Sequence, residues 1–161
     1  MRAKQGRDSE KGTEDSFMSE SVYFIVPGEV IAKGRPRFSM VGGYAKAYTP
    51  KRTSDYEKKV RDCYLAEVPY QPMKWSNKEP LEIVLNVYVE IPKSASKKAK
   101  TEMLLHGYPT KKSDCDNYLK SICDALNGVA YSDDCQIVIA TVNKMWSETP
   151  KAEITIREAS R

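Results

Sequence analysis

The clearest pattern in the chain lies between Leu81 and Ile91, where every second position is apolar. This period of two is typical of a β-strand with one buried face. Three further segments, 21–32, 136–146 and 151–158, are rich in β-branched and aromatic residues and also predict strands. Pro27 and Gly28 place a bulge or turn inside the first of them. The chain is therefore expected to build most of its sheet from four strands.

Other segments have apolar residues at helical spacing. A helix is predicted from Thr49, Pro50 or Thr53 to about residue 67, and a short basic helix between Ser94, as its N-cap, and Gly107. A third helix runs from a cap at Ser113 or Asp114 to about Leu126, with apolar residues at i, i+3, i+4 and i+7. Between the first strand and the first helix, a basic loop with Gly42 and Gly43 at its tip predicts a small hairpin.

The order of these elements is strand, helix, strand, helix, helix, strand, strand. It predicts a single α+β domain over residues 21–158, a mixed β-sheet with helices packed on it. Residues 1–20 are polar and charged, with few large apolar side chains, and are expected to form a disordered tail. No internal repeat is present.

Composition narrows the class of protein. The chain has 161 residues, of which 40% are hydrophobic and 30% charged, and a net charge of +4. No apolar run approaches the roughly 18 residues of a membrane span, and the N-terminus lacks the hydrophobic segment of a secretory signal. A cytoplasmic protein without membrane attachment is expected, with its cysteines as free thiols. A zinc site from Cys115, Cys123, Cys135 and His106 is disfavoured by their spacing.

The segment 111–136 concentrates acid in an otherwise basic chain. Asp114 and Asp116 stand at the mouth of the third helix, and the pair Asp133 and Asp134 follows shortly after its end. Carboxylates that converge in this way repel one another unless a hard divalent cation such as Mg²⁺ lies among them. The alternative is a capped surface helix with a salt bridge between Asp116 and Lys120, at i and i+4. Spacing alone leaves both interpretations open.

If a metal binds there, the chemistry follows from the residue types. Asp114, Asp116 and Asp134 would hold one or two Mg²⁺ ions that activate water and screen a phosphate. Lys120 would stabilise charge on the leaving oxygen or orient the water. Asp124, on the face of the helix that also bears Asp116 and Lys120, and Asp133 are candidate partners of that lysine.

A basic segment near the front of the chain is the candidate DNA-binding surface. Lys33, Arg35 and Arg37 alternate, so an extended chain would point all three to one side. Arginine forks fit phosphate oxygens, and the nearby aromatic residues could stack on unpaired bases. A solvated basic edge is the alternative. The predicted DNA-binding residues are Lys33, Arg35, Arg37, Lys46, Lys111 and Lys112.

Two longer motifs resemble a known family. The sequence D-C-D-N-Y-L-K-S-I-C-D-A-L-N-G followed by Y-S-D-D-C-Q-I, together with K-G-R-P-R-F and Y-T-P near the front, is similar to the RusA-type Holliday-junction resolvases common in phages and prophages. The resemblance covers roughly Val22 to Ile156. It implies a homodimeric, Mg²⁺-dependent endonuclease that cuts four-way DNA junctions by paired symmetric nicks in recombination and repair, without a small-molecule cofactor.

Carried over by position, the family's catalytic residues fall on Asp114, Asp116, Lys120 and Asp134, and Asp133 joins the three aspartates as a candidate metal ligand. Mg²⁺ is the expected ion, with Mn²⁺ as an alternative. Two hypotheses compete with a resolvase: a branched-DNA-binding protein that does not cleave, and a less selective nuclease acting on flaps or single strands. Loss of metal-dependent cleavage in Asp116→Asn, with DNA binding retained, would separate the first from a nuclease.

Overall fold

The computed structural model describes residues 21–71 and 73–160. The tail predicted for residues 1–20 therefore lies outside the described residues. The elements, in chain order, are β1 (Val22–Pro27), β2 (Arg37–Val41), β3 (Tyr44–Tyr48), α1 (Lys51–Glu67), β4 (Leu81–Glu90), α2 (Lys97–His106), α3 (Cys115–Leu126), a 3-10 turn (Asp134–Gln136), β5 (Ile137–Ser147) and β6 (Lys151–Glu158).

Four strands form one mixed sheet in the order β1-β6-β4-β5. β6 pairs antiparallel with both β1 and β4, whereas β4 and β5 are parallel. Parallel neighbours need a long crossover connection. Here that connection contains α2, α3 and the loops beside them. The predicted α+β class and the mixed sheet with helices are confirmed.

The core lies between one face of this sheet and two helices. The alternation seen in the sequence buries Leu81, Ile83, Leu85 and Val87 of β4 completely. α1 packs against β1 and α3. The edge-to-face contact between Phe24 and Tyr64, with ring centroids 5.6 Å apart, is part of the contact between β1 and α1. Burial of these apolar side chains stabilises the arrangement, because each removes apolar surface from water.

Strands β2 and β3 form a separate hairpin, and all ten of their residues are exposed. Gly42 and Gly43 connect them with φ values of 59° and 85°. A two-residue turn of this kind requires positive φ at both positions, which glycine adopts without steric cost. The predicted hairpin is confirmed, and it stands outside the core.

Several boundaries differ from the predictions for local reasons. β1 ends at Pro27 because Gly28, with φ 86°, turns the chain. The N-cap of α2 is Ser96, not Ser94, since a hydrogen bond from the backbone N–H of Ala95 to the carbonyl of Pro92 keeps 92–95 in a turn. In the described residues no helix is long and apolar enough to cross a membrane.

Candidate active site

Helix α3 positions the first pair of aspartates and the lysine. Asp114 is the N-cap residue, with φ −68° and ψ 153°, but its side chain makes no capping hydrogen bond. Asp116 lies in the first turn and Lys120 one turn further along, and all three side chains are exposed. A free carboxylate at this end is favoured by the unpaired backbone N–H groups of the helix. The exposed groups can therefore act on a ligand from solvent.

The opposite face of α3 fixes its position. Ile122 and Leu126 are completely buried in the core, and Tyr118 is 5% exposed. At the first turn, the carbonyl of Asn117 accepts a hydrogen bond of 2.9 Å from the backbone N–H of Lys33. The helix that presents the aspartates is thus attached both to the core and to the start of the basic segment.

Tyr131 makes two hydrogen bonds that fix the turn after α3. Its buried hydroxyl donates a 3.1 Å hydrogen bond to the carbonyl of Cys123, and its carbonyl accepts one of 2.9 Å from the backbone N–H of Gly128. Burial is the main reason that the pKa of Tyr131 is raised, so its hydroxyl keeps its proton and remains a donor. This contact returns the chain toward α3 just before the second acidic pair.

A capping box holds Asp133 and Gln136. The carboxylate of Asp133 accepts a 2.9 Å hydrogen bond from the backbone N–H of Cys135, and Oε1 of Gln136 accepts one of 3.1 Å from the backbone N–H of Asp133. The pKa of Asp133 is lowered because backbone hydrogen bonding stabilises its charged form. Its carboxylate is thus engaged in local structure, while Asp134, the next residue, is exposed.

Gln136 supports the acidic turn, and the sequence had not indicated this role. It is buried, and its side-chain amide donates to the carbonyls of Glu79 at 3.2 Å and Trp75 at 3.4 Å. It therefore connects the acidic turn to the loop before β4. The spacing D-x-x-Q, an N-cap acceptor followed three residues later by glutamine, was the available signal.

Burial is the main reason that the pKa of Cys123, on α3, is raised to about 12, and the charges of Asp134 and Asp124 add to the increase.

Lys33 and Asp124 have roles that the sequence did not indicate. The ammonium of Lys33 lies 2.6 Å from Asp124 and 2.6 Å from Glu57 of α1, and its side chain is only 19% exposed. Burial lowers the pKa of Lys33, but the hydrogen bonds to the two carboxylates outweigh it and leave the pKa raised. Asp124 thus pairs with Lys33, whereas no ion pair of Lys120 is found among the described residues.

The remaining predicted DNA-binding residues are on the surface. Arg35 precedes β2, Arg37 is its first residue, Lys46 lies on β3, and all three are exposed. The same hairpin exposes large apolar and aromatic side chains, including Phe38 (73%) and Tyr44 (81%). Lys111 and Lys112 are exposed immediately before Asp114. Cations and aromatic rings therefore form an open surface of the kind that binds single-stranded or distorted nucleic acid.

One further lysine contributes to this region. The ammonium of Lys144, on β5, donates a 2.9 Å hydrogen bond to the carbonyl of Ser113. This contact fixes the residue just before the N-cap of α3 to the sheet. A sequence pattern could not have indicated it, because the two residues are distant in the chain.

The acidic side chains do not form a closed metal shell. Within 21–71 and 73–160, no three or more histidine, cysteine, aspartate or glutamate side chains lie close enough together to hold a metal ion. The alternative zinc set is likewise not assembled, and its members differ in environment, since Cys123 is buried and Cys135 exposed. The exposed carboxylates of Asp114, Asp116 and Asp134 match the oxygen donors that Mg²⁺ prefers. Their chemistry fits such an ion, but they are not gathered around one point.

The fold combines a crossover helix that carries acids at its N-terminus with an exposed basic hairpin, and these are residue types that a phosphodiesterase of DNA uses. The family model for endodeoxyribonuclease RusA matches residues 27–157, and the chain belongs to this family. The resemblance found in the two motifs is confirmed. Among curated proteins, the uncharacterized protein YqaN of Bacillus subtilis (strain 168) is 37% identical over 144 residues, which cover 88% of this chain and 99% of that protein.

Proposed function

We propose that this protein is a Mg²⁺-dependent, structure-selective endodeoxyribonuclease that resolves Holliday junctions by paired symmetric nicks during DNA recombination and repair. The observation that supports this most strongly is the family match over 27–157 combined with the exposure of all four matching positions, Asp114, Asp116, Lys120 and Asp134. Asp114 is the N-cap residue of α3, Asp116 and Lys120 lie on that helix, and Asp134 is on the turn that Tyr131 attaches to it.

Each acidic residue has a definite task in this proposal. Asp114, Asp116 and Asp134 would hold Mg²⁺ through their carboxylates, with Mn²⁺ as an alternative ion. The bound ion would supply a water of lowered pKa and offset phosphate charge. Asp133 is better suited to orienting Asp134, because its own carboxylate accepts the backbone N–H of Cys135. We therefore rank it below the other three as a ligand.

Lys120 would stabilise the charge that develops on the phosphate. Its ammonium is one turn along α3 from Asp116, on the same exposed face. A fixed cation near developing negative charge lowers the barrier, because it interacts more strongly with the transition state than with the ground state. Replacing Lys120 by methionine should reduce cleavage on the order of 100-fold while junction binding persists. Lys58→Met, on the exposed surface of α1, is the control.

Junction DNA would bind across the hairpin and the loop before α3. Arg35, Arg37 and Lys46 would contact phosphates from one side, and Lys111 and Lys112 from the other. The exposed rings of the hairpin would stack on bases that are unpaired at the branch point. We assign Lys33 to positioning, since Glu57 and Asp124 already bind its ammonium.

A two-fold protein suits this reaction. A four-way junction has two strands of equivalent geometry to cut, and a symmetric dimer presents two identical sites to them. We therefore propose that the protein acts as a homodimer.

The test is cleavage of a synthetic four-way junction by purified protein, with Mg²⁺, with Mn²⁺ and with EDTA. Paired symmetric nicks that require metal and are lost in Asp116→Asn would support the proposal. Asp55→Asn is the matched control, because Asp55 is also an exposed aspartate on a helix. A junction bound but left intact in both metals would instead identify a non-cleaving binding protein. Equal cleavage of flaps, forks or single strands would identify a less selective nuclease.

A further inference from the structure

An open cavity of about 440 Å³ lies between the basic segment and the first turn of α1. Its lining includes three arginines, Arg35, Arg37 and Arg52, and none of the described lining residues is acidic. Among the described residues, Arg35 and Arg37 take part in no ion pair. Cations that share one cavity repel one another, and an anion bound among them removes this repulsion. The charges of the cavity therefore favour an anionic ligand.

The first turn of α1 adds to this preference. Its N-cap residue, Pro50, provides no side-chain cap, and the turn contains no acidic residue. The carbonyl of Pro50 accepts hydrogen bonds from the backbone N–H groups of Thr53 and Ser54, at 2.9 and 3.1 Å. For the backbone N–H groups of residues 51 and 52, no partner is found in the described part of the chain. Unpaired N–H groups at the start of a helix favour negative charge.

A buried hydroxyl without a partner lines the same cavity. Thr53 is 3% exposed, yet its hydroxyl makes no hydrogen bond within residues 21–71 and 73–160. Buried hydroxyl groups normally have a partner, because an unsatisfied one costs free energy. A Cβ at Gly34 would lie 3.1 Å from Oγ1 of Thr53 and 3.4 Å from Cγ of Pro50, so the glycine keeps this side of the hydroxyl open. An oxygen atom of a ligand would supply the missing acceptor.

The surroundings of the cavity fit a nucleic-acid strand. Tyr48 of β3 lies directly opposite Arg37 in the hairpin, so its ring is on the same face as that arginine, and it is 45% exposed. A base next to a bound phosphate can stack on this ring. Arginine forks also match the geometry of phosphate oxygens. An acidic peptide would offer carboxylates to the same arginines, but it has no base to place on the tyrosine.

We propose that this cavity is a phosphate-binding site for a nucleic-acid strand, in which the three arginines bind phosphate oxygens and the hydroxyl of Thr53 donates to one of them. The inference deepens the proposed function, and it rests on that function for the expectation that the ligand is DNA. Arg52 also pairs with Glu29 at 2.6 Å, through Nη2. Both side chains of this pair are about two-thirds exposed, at 67% and 66%, so the pair is weak. The other N–H groups of the guanidinium stay available for a phosphate.

The site has a fixed position relative to the candidate aspartates. Lys33, which precedes Gly34, donates its backbone N–H to the carbonyl of Asn117 on α3, and its ammonium pairs with Asp124 of the same helix. One wall of the cavity is thus attached to the helix that carries Asp116. A phosphate held in the cavity would therefore anchor the strand at a constant place relative to α3, so that the same bond reaches the acids each time.

The experiment follows the backbone amide NMR signals of residues 51–53 while the full chain, in EDTA, is titrated with three probes. The probes are inorganic phosphate, a short single DNA strand with a 5′-phosphate, and the same strand with a 5′-hydroxyl. Equal shifts with both strands would support the site and identify an internal phosphodiester as its ligand. Shifts with the phosphorylated strand only would support the site and identify a terminal phosphate. No shift with either strand, whether or not inorganic phosphate binds, overturns the proposal.

Two variants test the assigned side chains. Thr53→Val keeps the shape of the side chain but removes the hydroxyl, and it should raise the dissociation constant of the strand about 10-fold, because a hydrogen bond to a charged group is lost. Its control is Thr101→Val, which removes a hydroxyl that donates to Lys97 on α2. Arg52→Gln should weaken binding and lower the slope of log affinity against log salt by about 0.7. Arg61→Gln, on the same helix but outside the cavity lining, should change neither.

Wild-type affinity in either Thr53→Val or Arg52→Gln overturns the assignment of that cavity, and Arg52 is exposed, so its replacement leaves the fold intact. Because all titrations are made in EDTA, they do not depend on cleavage. A strand that binds in the cavity of a protein that cuts no junction refutes the proposed function alone. A junction-cutting protein whose cavity binds no strand refutes this inference alone.

Discussion

Nζ of Lys33 lies 2.6 Å from Oδ2 of Asp124, an ion pair that joins the basic segment to the helix of the candidate aspartates. The same ammonium contacts Glu57 at 2.6 Å, so three elements meet at one partly buried cation. Two carboxylates share it, and removing the cation would leave both of them close together without compensation. Lys33 therefore connects the basic segment, α1 and α3.

From this contact we expect Lys33→Met to be destabilising. The free energy of unfolding should fall by about 2 kcal/mol, because hydrogen bonds to charged groups are lost and two carboxylates are left facing each other. Chemical denaturation measures the change. Arg35→Met, two residues along on the exposed surface, should alter stability by less than about 0.5 kcal/mol and weaken junction binding. Equal stability of both variants would contradict the positioning role of Lys33.

Gln136→Leu should destabilise the protein and reduce cleavage. The apolar side chain cannot donate to the carbonyls of Trp75 and Glu79 or accept from the acidic turn, so buried polar groups lose their partners at a cost of about 1–3 kcal/mol. We expect an activity loss larger than the loss of junction affinity, since Asp134 is then poorly positioned. Gln71→Leu, at an exposed position, should change neither stability nor rate. Cleavage at the wild-type rate by the Gln136→Leu variant would show that the capping box is not needed for activity.

Asp133 should make the free energy of unfolding depend on pH. Its folded-state pKa is lowered from the usual 3.8 by hydrogen bonding to Cys135, so the unfolded chain binds its proton more readily. The contribution of Asp133 to the free energy of unfolding is therefore fully present above about pH 4 and is lost as the pH falls through the folded-state pKa. The stability difference between wild type and Asp133→Ala should therefore shrink on acidification from about pH 6 to about pH 3. A difference that stays constant, as for Asp55→Ala, would show that this carboxylate does not cap the turn.

The hairpin should account for much of the salt dependence of binding. Each phosphate contact contributes about 0.9 to the slope of log affinity against log salt, so replacing Arg35, Arg37 and Lys46 by glutamine should reduce that slope by up to about 3. Fluorescence anisotropy with a labelled junction measures it. Arg157→Gln changes a cation of β6 that pairs with Glu82 of β4, and it should leave the slope unchanged. An unaltered slope in the triple variant would exclude the hairpin from phosphate contact.

The sequence predicted the local structure well where a single periodicity decided it. The alternation in β4, the full extent of β6 and the span of α3 were all correct, because each depends on which face of one element is buried. Contacts between distant residues were not predictable. Nothing in the periodicity of the chain indicates that Asp124 pairs with Lys33, that Lys144 binds Ser113, or that β5 runs parallel to β4. These depend on how separate elements meet.

The candidate site shows the same difference between local structure and contacts of distant residues. Spacing drew attention to the aspartates at the start of α3 and to the second acidic pair, and the family resemblance made them candidates, but neither indicated the residues that support them. Gln136 acts through the loop 75–79, and Tyr131 through a carbonyl of α3, so their importance becomes visible only in three dimensions. The sequence also suggested that the acids converge. In the structure they remain exposed on neighbouring elements and do not form a closed cluster within the described residues.

The central position of β6 determines when the sheet can be completed during synthesis of the chain. This strand, the last in the described part of the chain, lies between β1 and β4, so the two cannot be joined in one sheet until it has been synthesised. Pairings between residues so far apart in sequence form slowly, because a long loop must close first. During translation, the acidic helix would therefore lack its completed platform until after residue 158 leaves the ribosome. Truncation before Lys151 removes β6 and should therefore give an inactive, aggregation-prone product.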